Sequence, residues 1–374
     1  MNTHEAYTIT DPSPLLSPSL LFFPELIRQN LARTLELAGD PARLRLHVKT
    51  HKTPAIVQLE REMGITKHKC ATIAECEMVA QCGPADILLS YPLVGPNPER
   101  FARLIQQYPE SRFAATVDHA QGVKALQQAA ERVGVEIDVM LDVDIGQHRT
   151  GISPGPEAVA VYEAIAAAKR LHPTGLHVYD GHNHQTDLTE RQAAALKQFE
   201  AALRLRETLQ AKGLPVPRVV VGGTPTFPIY ARLEVPGLEC SPGTLVLHDH
   251  GYGSKFADLS GFVPAALLLT RVISRPTPTR VTWDLGYKAV ASDPGPGKRL
   301  RILGIQSYEE VLQNEEHLVI DTPDAAQFHL GDAYLAVPTH ICPTVALHSH
   351  AAVIEAGRLT GYWPITARDR QLSI

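Results

Sequence analysis

The sequence lacks a long hydrophobic run. Its apolar N-terminal stretch, residues 15–23, contains Ser and Pro, follows no basic region and falls well short of the roughly 20 residues that span a bilayer. A chain without a membrane segment, in the cytoplasm, is therefore expected. Cysteine is scarce as well: Cys70, Cys76, Cys82, Cys240 and Cys342 make an odd number with no disulfide-framework spacing, so reduced thiols are expected. Neither sign of charge dominates. A formal net charge of -5 with 20% charged residues offers no cationic face to a polyanion, which argues against nucleic acid as a partner. Internal repeats and low-complexity segments are missing too, and the 44% hydrophobic content is that of an ordinary globular chain.

What is present is a regular alternation. At 374 residues, one large and one smaller domain are the natural expectation. Eight short β-rich apolar runs, at residues 44–49, 65–71, 86–91, 113–117, 136–143, 175–179, 218–222 and 238–246, alternate with segments of helical period such as 99–108, 120–133, 156–171 and 189–212. Repeated βα units of this kind predict an α/β chain whose first domain is a (β/α)8 TIM-like barrel, with its working loops after the C-terminal ends of the strands. An open doubly wound sheet is the alternative. Beyond Phe262 helical stretches disappear, and alternating runs at 266–274, 280–284, 317–321, 333–337 and 344–354 predict a C-terminal β-domain. The expected organisation is an N-terminal segment, 1–25, free to join the β-domain, a barrel over 26–260 and a β-domain over 261–374.

Five segments carry groups able to do chemistry. In His47-Val48-Lys49-Thr50-His51-Lys52 a lysine on an apolar strand must pair its charge or lower its pKa, which a Schiff-base lysine needs; a lysine that simply reaches solvent is the ordinary alternative. Asp142-Val143-Asp144 with Arg149 at the end of the fifth strand reads either as an ion-pair network or as an arginine holding an anionic oxygen. Gly222-Gly223-Thr224 after the seventh strand suits a phosphate, as barrels commonly bind phosphate there, but also an ordinary βα turn. The stretch from Tyr179 to Gln185 holds His182 and His184, candidates to move protons near neutral pH. In Pro338-Thr339-His340-Ile341-Cys342-Pro343, residues i and i+2 of an extended segment point the same way, so imidazole and thiol can share an ion such as zinc, with water and substrate completing an open site.

In this order the segments resemble the D-threonine aldolase and D-serine dehydratase family, whose barrel is similar to the N-terminal domain of alanine racemase; the resemblance runs from about residue 44 to 370. It implies pyridoxal 5'-phosphate on Lys49, with Arg149, Tyr179, Gln185, Gly222, Gly223 and Thr224 around it. It further implies a divalent metal (Zn, or Mn or Mg) on His340 and Cys342, a small D-amino acid as substrate and a homodimer. The activity implied is a lyase on D-3-hydroxy-amino acids. The stretch 175–182 resembles the aldolases, which yield glycine and an aldehyde, with His182 or His184 as base. Cys342 resembles the zinc dehydratases of D-serine or D-3-hydroxyaspartate, which release a 2-oxo acid and ammonia, since the aldolases commonly carry a carboxylate there. The larger barrel match places retro-aldol cleavage first. An amino-acid racemase or a non-enzymatic cofactor carrier on the same barrel are the remaining alternatives.

Overall fold

The computed structural model describes residues 7–374, so residues 1–6 of the expected N-terminal segment lie outside the described residues. The chain divides into two compact units, one of residues 32–49, 54–243 and 369–374, the other of residues up to Leu31, 50–53 and 244–368. Strand β1 (Ser19–Phe22) lies in the second unit.

The first unit holds β2 (Leu46–His47), β3 (Lys67–Cys70), β4 (Asp86–Leu89), β5 (Arg112–Val117), β6 (Ile137–Asp144), β7 (Leu171–Tyr179), β8 (Arg218–Val221) and β9 (Leu238–Cys240). Each pairs in parallel with the next in chain order. Leu44 bridges Cys240, and the Arg45 and His47 N–H groups donate to the carbonyls of Cys240 and Pro242, both at 2.9 Å. The last strand is thereby joined to the first, giving the (β/α)8 barrel and excluding the open sheet. Helices between strands start and stop on local signals. Ala120–Val133 is capped by His119, whose ring accepts the Gln121 N–H, and ends at Gly134 with φ +82°. Leu188–Ala211 starts at Asp187, which accepts the Glu190 N–H.

Strand alternation fills the barrel. Leu88, Ala114, Met140 and Val220, one from each of four strands, form a fully buried cluster inside it. Asp142 follows Met140 by two residues and so faces the same way, and it is in register with His177 on β7. Lys69 is in register with Leu88. The register alone thus stacks ionisable groups above an apolar floor.

Three barrel elements differ from the sequence expectation. The run 44–49 is strand only at Leu46–His47 and continues as a 3-10 turn over Val48–Thr50, so Lys49 stands just past the strand. The run 238–246 likewise yields the strand Leu238–Cys240 and a 3-10 turn at Thr244–Val246. In both, residues such as Val48 and Leu245 are apolar because the turn itself is buried. The helix expected over 156–171 is Pro156–Ala167; Arg170, at φ +62°, breaks it before β7 begins.

The second unit contains β1 with β10 (Ala266–Ser274), β11 (Arg280–Trp283), β12 (Leu300–Ile302), β13 (Glu309–Gln313), β14 (Leu318–Asp321), β15 (Ala333–Pro338), β16 (His350–Glu355) and β17 (Arg358–Pro364). They form one mixed sheet ordered β13-β14-β11-β10-β1-β16-β17, with β15 pairing β10 and β12. β1 lies antiparallel to β10 and parallel to β16, and Leu21, Phe23, Leu267, Leu269 and Ile354 build a core on it. The expected strand over 344–354 is corrected: Ile341–Leu347 is a short helix, and β16 starts only at His350. Alternating side-chain polarity does not distinguish a two-turn helix from a strand over so few residues. Among the described residues, no helix is long and apolar enough to cross a membrane.

Candidate active site

A cavity of about 310 Å³ opens in the barrel unit at the C-terminal ends of β2, β3, β4, β6 and β7, lined among others by Lys49, Lys69, Ser90, Arg149, His177 and Tyr179. A larger groove of about 590 Å³, lined by residues including Glu163, Arg204 and Lys212 of the helices Pro156–Ala167 and Leu188–Ala211, holds none of the candidate residues. The strand ends, rather than cavity size, locate the chemistry.

Tyr179 closes β7 and organises the cavity. The Arg149 guanidinium lies 5.0 Å, the Lys69 ammonium 5.3 Å and the Lys49 ammonium 6.0 Å from its ring centroid. Among the described residues, none of these three cations forms an ion pair. Three cations gathered on one ring without a carboxylate partner make a receptor for an anion. Lys69 is 3% exposed, and its Nζ donates to Ser241 Oγ at 3.0 Å. Burial first, then the nearby Lys49 and Arg149 charges, push its ammonium down to about 7, against the opposite pull of Asp142 and Asp180.

Beside Lys69, His177 Nδ1 and Asp142 Oδ1 are 2.6 Å apart. Burial, with the charge of Lys69, lowers the His177 imidazole and outweighs Asp142, so the ring is neutral at neutral pH. Burial raises the Asp142 carboxyl, but the charge and hydrogen bond of His177 outweigh it and leave the group below the usual carboxylate range. The carboxylate only accepts, so His177 Nδ1 carries the proton. Its Nε2 is buried and has no hydrogen-bond partner.

The turn after β8 is shaped by two glycines. A Cβ on Gly222, at φ +74°, would meet the Tyr230 ring at 2.7 Å, and one on Gly223 would meet the Tyr179 ring at 3.2 Å. Ser241 Oγ donates to the Gly222 carbonyl at 3.1 Å, linking Lys69 to this turn through one hydroxyl. Thr224 is buried, and its hydroxyl accepts the Gly243 N–H at 3.4 Å.

Lys49, Arg149 and Tyr179 thus come together as the sequence motifs suggest. Other residues of the Tyr179–Gln185 stretch turn elsewhere. His182 Nε2 contacts Gln198 Oε1 at 3.0 Å and its ring packs beside Gly146, while His184 is exposed; neither lines the cavity. The Gln185 amide oxygen is buried without a hydrogen-bond partner. Asp180 is a structural post that accepts from Tyr230 at 2.8 Å and Thr226 at 2.9 Å. Sequence reasoning missed Lys69 and the pairing of Asp142 with His177; strand register, once the barrel order is known, would have found both.

In the β unit, His340 and Cys342 do meet, although not by the extended-segment argument. His340 is the extended N-cap residue and Cys342 lies in the first turn of the helix Ile341–Leu347. His340 Nδ1 is 2.5 Å from Asp293 Oδ2, and Cys342 Sγ lies 3.2 Å from Thr50 Oγ1 and 3.5 Å from Thr244 Oγ1. Burial alone would lower the His340 imidazole, but the Cys342 thiol and the Asp293 carboxylate beside it raise it to about 9. Among the described residues, no three His, Cys, Asp or Glu side chains form a metal-holding group.

Pyridoxal phosphate fits the barrel residues: a lysine on the cavity wall, unpaired cations for its phosphate and ring oxygens, a glycine turn free of side chains, and an orphaned imidazole nitrogen. A divalent metal fits His340 and Cys342 as a soft two-ligand set that leaves positions open.

The chain is similar to known proteins along most of its length. Residues 24–246 match the family model described as "Alanine racemase, N-terminal domain", and residues 265–354 match one described as "Putative serine dehydratase domain". D-threonine aldolase of Arthrobacter sp is 29% identical over 328 residues, covering 87% of this chain and 85% of the aldolase. The 3-hydroxy-D-aspartate aldolase of Paracoccus denitrificans (strain Pd 1222) is 27% identical over 96% of this chain and 94% of its own. The crystal structure of D-threonine aldolase from Filomicrobium marinum superposes with a TM-score of 0.88 at 27% identity, covering 96% of each chain.

Proposed function

This chain belongs to the alanine racemase N-terminal domain family, and on that premise we propose that it is a pyridoxal-phosphate-dependent lyase of D-3-hydroxy-amino acids with Lys49 carrying the cofactor. The observation that carries the assignment of Lys49 is its place on the cavity wall with Arg149, around the Tyr179 ring. Arg149 and Tyr179 orient the cofactor ring, Gly222, Gly223 and Thr224 receive the phosphate, and Gln185 supports the ring-flanking segment. When bound, the cofactor supplies an electron sink for negative charge developing at the substrate Cα.

The chain's own groups handle the protons. Lys49, with its amine free, would accept or return a proton at the substrate. Asp142 holds His177 by Nδ1–H, so Nε2 presents a lone pair to the cavity, placed to take the proton of the substrate's β-hydroxyl. This wall position favours His177 for that step over His182 and His184, which stay as alternatives to be tested by substitution. Lys69, poised at about 7 beneath Tyr179, offers positive charge to an anionic group without a fixed counter-ion. The similarity to D-threonine aldolase and 3-hydroxy-D-aspartate aldolase supports retro-aldol cleavage to glycine and an aldehyde as the first reading.

A second reading, elimination of water to a 2-oxo acid and ammonia, is supported by Cys342 and by the dehydratase-domain match over 265–354. In either reading His340 and Cys342 hold a divalent ion, zinc by preference for the thiolate, whose chemistry is polarisation of a hydroxyl oxygen. The protein is taken to act as a homodimer, which light scattering of the purified protein tests.

The deciding experiment identifies products from D-threonine and from D-serine with the cofactor-loaded protein, with and without zinc or manganese. Glycine with acetaldehyde from D-threonine is expected. 2-Oxobutanoate or pyruvate with ammonia would replace the aldolase reading by the dehydratase, and no product under any metal would overturn both.

A further inference from the structure

The His340–Cys342 segment of the β unit carries more polar contacts than two ligands require. Ile341 N–H donates to buried Asp249 at 3.1 Å; Thr344 Oγ1 donates to the His340 carbonyl at 2.8 Å and accepts the Ala291 N–H at 3.1 Å. The backbone that leads to Asp293 is thereby tied to the helix that follows His340. At the side chain itself, the 2.5 Å contact of His340 with Asp293 goes through Nδ1. A carboxylate has no proton to give, so Nδ1 carries the proton of this contact, and Nε2 is the nitrogen left for a cation, which displaces any proton there.

We propose that Asp293 is a positioning residue of the metal site: it fixes the tautomer and the rotation of the His340 ring so that Nε2, together with the Cys342 thiolate, faces a divalent cation. The inference rests on His340 and Cys342 being the metal pair. An imidazole turns about two bonds and shares its proton between two nitrogens, and one carboxylate on Nδ1–H settles both. Ligating histidines nearly always donate their second N–H in this way, and removal of that partner weakens metal binding roughly 10–100-fold. The dependence is sharp here because, among the described residues, no third His, Cys, Asp or Glu joins the pair. Asp293 acts on the ring and not on the cation, since its Oδ2 is engaged by Nδ1–H. The hydroxyls of Thr50 and Thr244 play the matching part for the sulfur.

The test is zinc affinity of the full-length, cofactor-loaded protein, by competition with a chromophoric chelator, together with the visible spectrum of the cobalt(II)-substituted form. Asp293→Ala is expected to raise the zinc Kd roughly 10–100-fold, and Asp293→Asn less, because an amide oxygen still accepts the Nδ1–H. Both should keep the thiolate-to-cobalt band and the d–d pattern of the parent. A Kd for Asp293→Ala within about twofold of the parent would overturn the proposal. So would an altered d–d pattern, which would make Asp293 a ligand. His340→Ala and Cys342→Ala serve as the separate control: if they bind zinc as tightly as the parent, the metal-pair reading fails first and Asp293 falls with it. Asp293 is more than half exposed, so the variants fold, and circular dichroism verifies it.

Discussion

At the N-terminal ends of the barrel strands, fully buried Arg45 donates to Glu239 at 2.6 Å and to Asp86 at 2.9 Å, while Arg218 and Lys67 close on the same two carboxylates at 2.9 and 2.7 Å. At the C-terminal ends, Lys49, Lys69 and Arg149 surround Tyr179 and, among the described residues, pair with no carboxylate. Both ends are rich in charge, yet only one is neutralised. The lower network plugs the barrel, and opposite charges there hold each other in place of solvent. The upper group keeps its charge unspent, and the lysine there has its ammonium pushed down to about 7. Unmatched charge, with Lys69 its buried member, is therefore the mark of the working end, and matched buried charge the mark of the structural end.

Substitutions at the two ends should separate activity from stability. Lys49→Ala is expected to lower turnover on the order of 10³-fold or more and to abolish the visible absorption of covalently held cofactor, with little change in unfolding midpoint. At the other end, Glu239→Gln leaves buried Arg45 with one of its two carboxylate partners; a loss of roughly 3–5 kcal/mol in urea unfolding is expected, with kcat of the folded fraction unchanged. A comparable loss of stability from Lys49→Ala, or of turnover from Glu239→Gln, would erase the distinction.

Asp142→Asn should have a smaller effect than Lys49→Ala. An amide no longer dictates which His177 nitrogen is protonated, so kcat should fall by about 10²-fold with KM little changed. A change confined to KM would make the pair a binding element only.

The effect that is smallest per pH unit concerns the apo-protein. Lys69 binds its proton less tightly folded than unfolded, its ammonium falling from 10.5 to about 7. Between these values the unfolded chain holds more protons, so stability rises with pH across that window, by up to about 1.4 kcal/mol per pH unit, and is flat below it. Lys69→Met should remove this component, measured as the difference between parent and variant unfolding curves from pH 7 to 10. Identical pH slopes would show that Lys69 is not held against its charge.

Much of this was legible in the chain. The eight βα units, and the motifs around Lys49, Arg149 and Gly222-Gly223, show directly in the sequence because barrel strands are apolar runs and their ends collect polar residues. Strand ends were read too long at 44–49 and 238–246, since a buried turn needs the same apolar residues as a strand. Lys69 stands in no motif of its own within the expected strand 65–71; the register with Leu88 turns it inward. His182 drew notice by the density of ionisable residues around it, but composition does not give direction, and the structure turns it to Gln198. In the β unit the ligand types were readable while Asp293, 47 residues before His340, was not, because nothing local in sequence couples them.

The most direct test of the account is reduction of the cofactor-loaded protein with borohydride, followed by proteolysis and mass mapping of the pyridoxyl label. The account predicts one labelled peptide, carrying the modification on Lys49, and no label at all in Lys49→Ala. Label on Lys69 in the parent protein, or no label on any lysine, would contradict it.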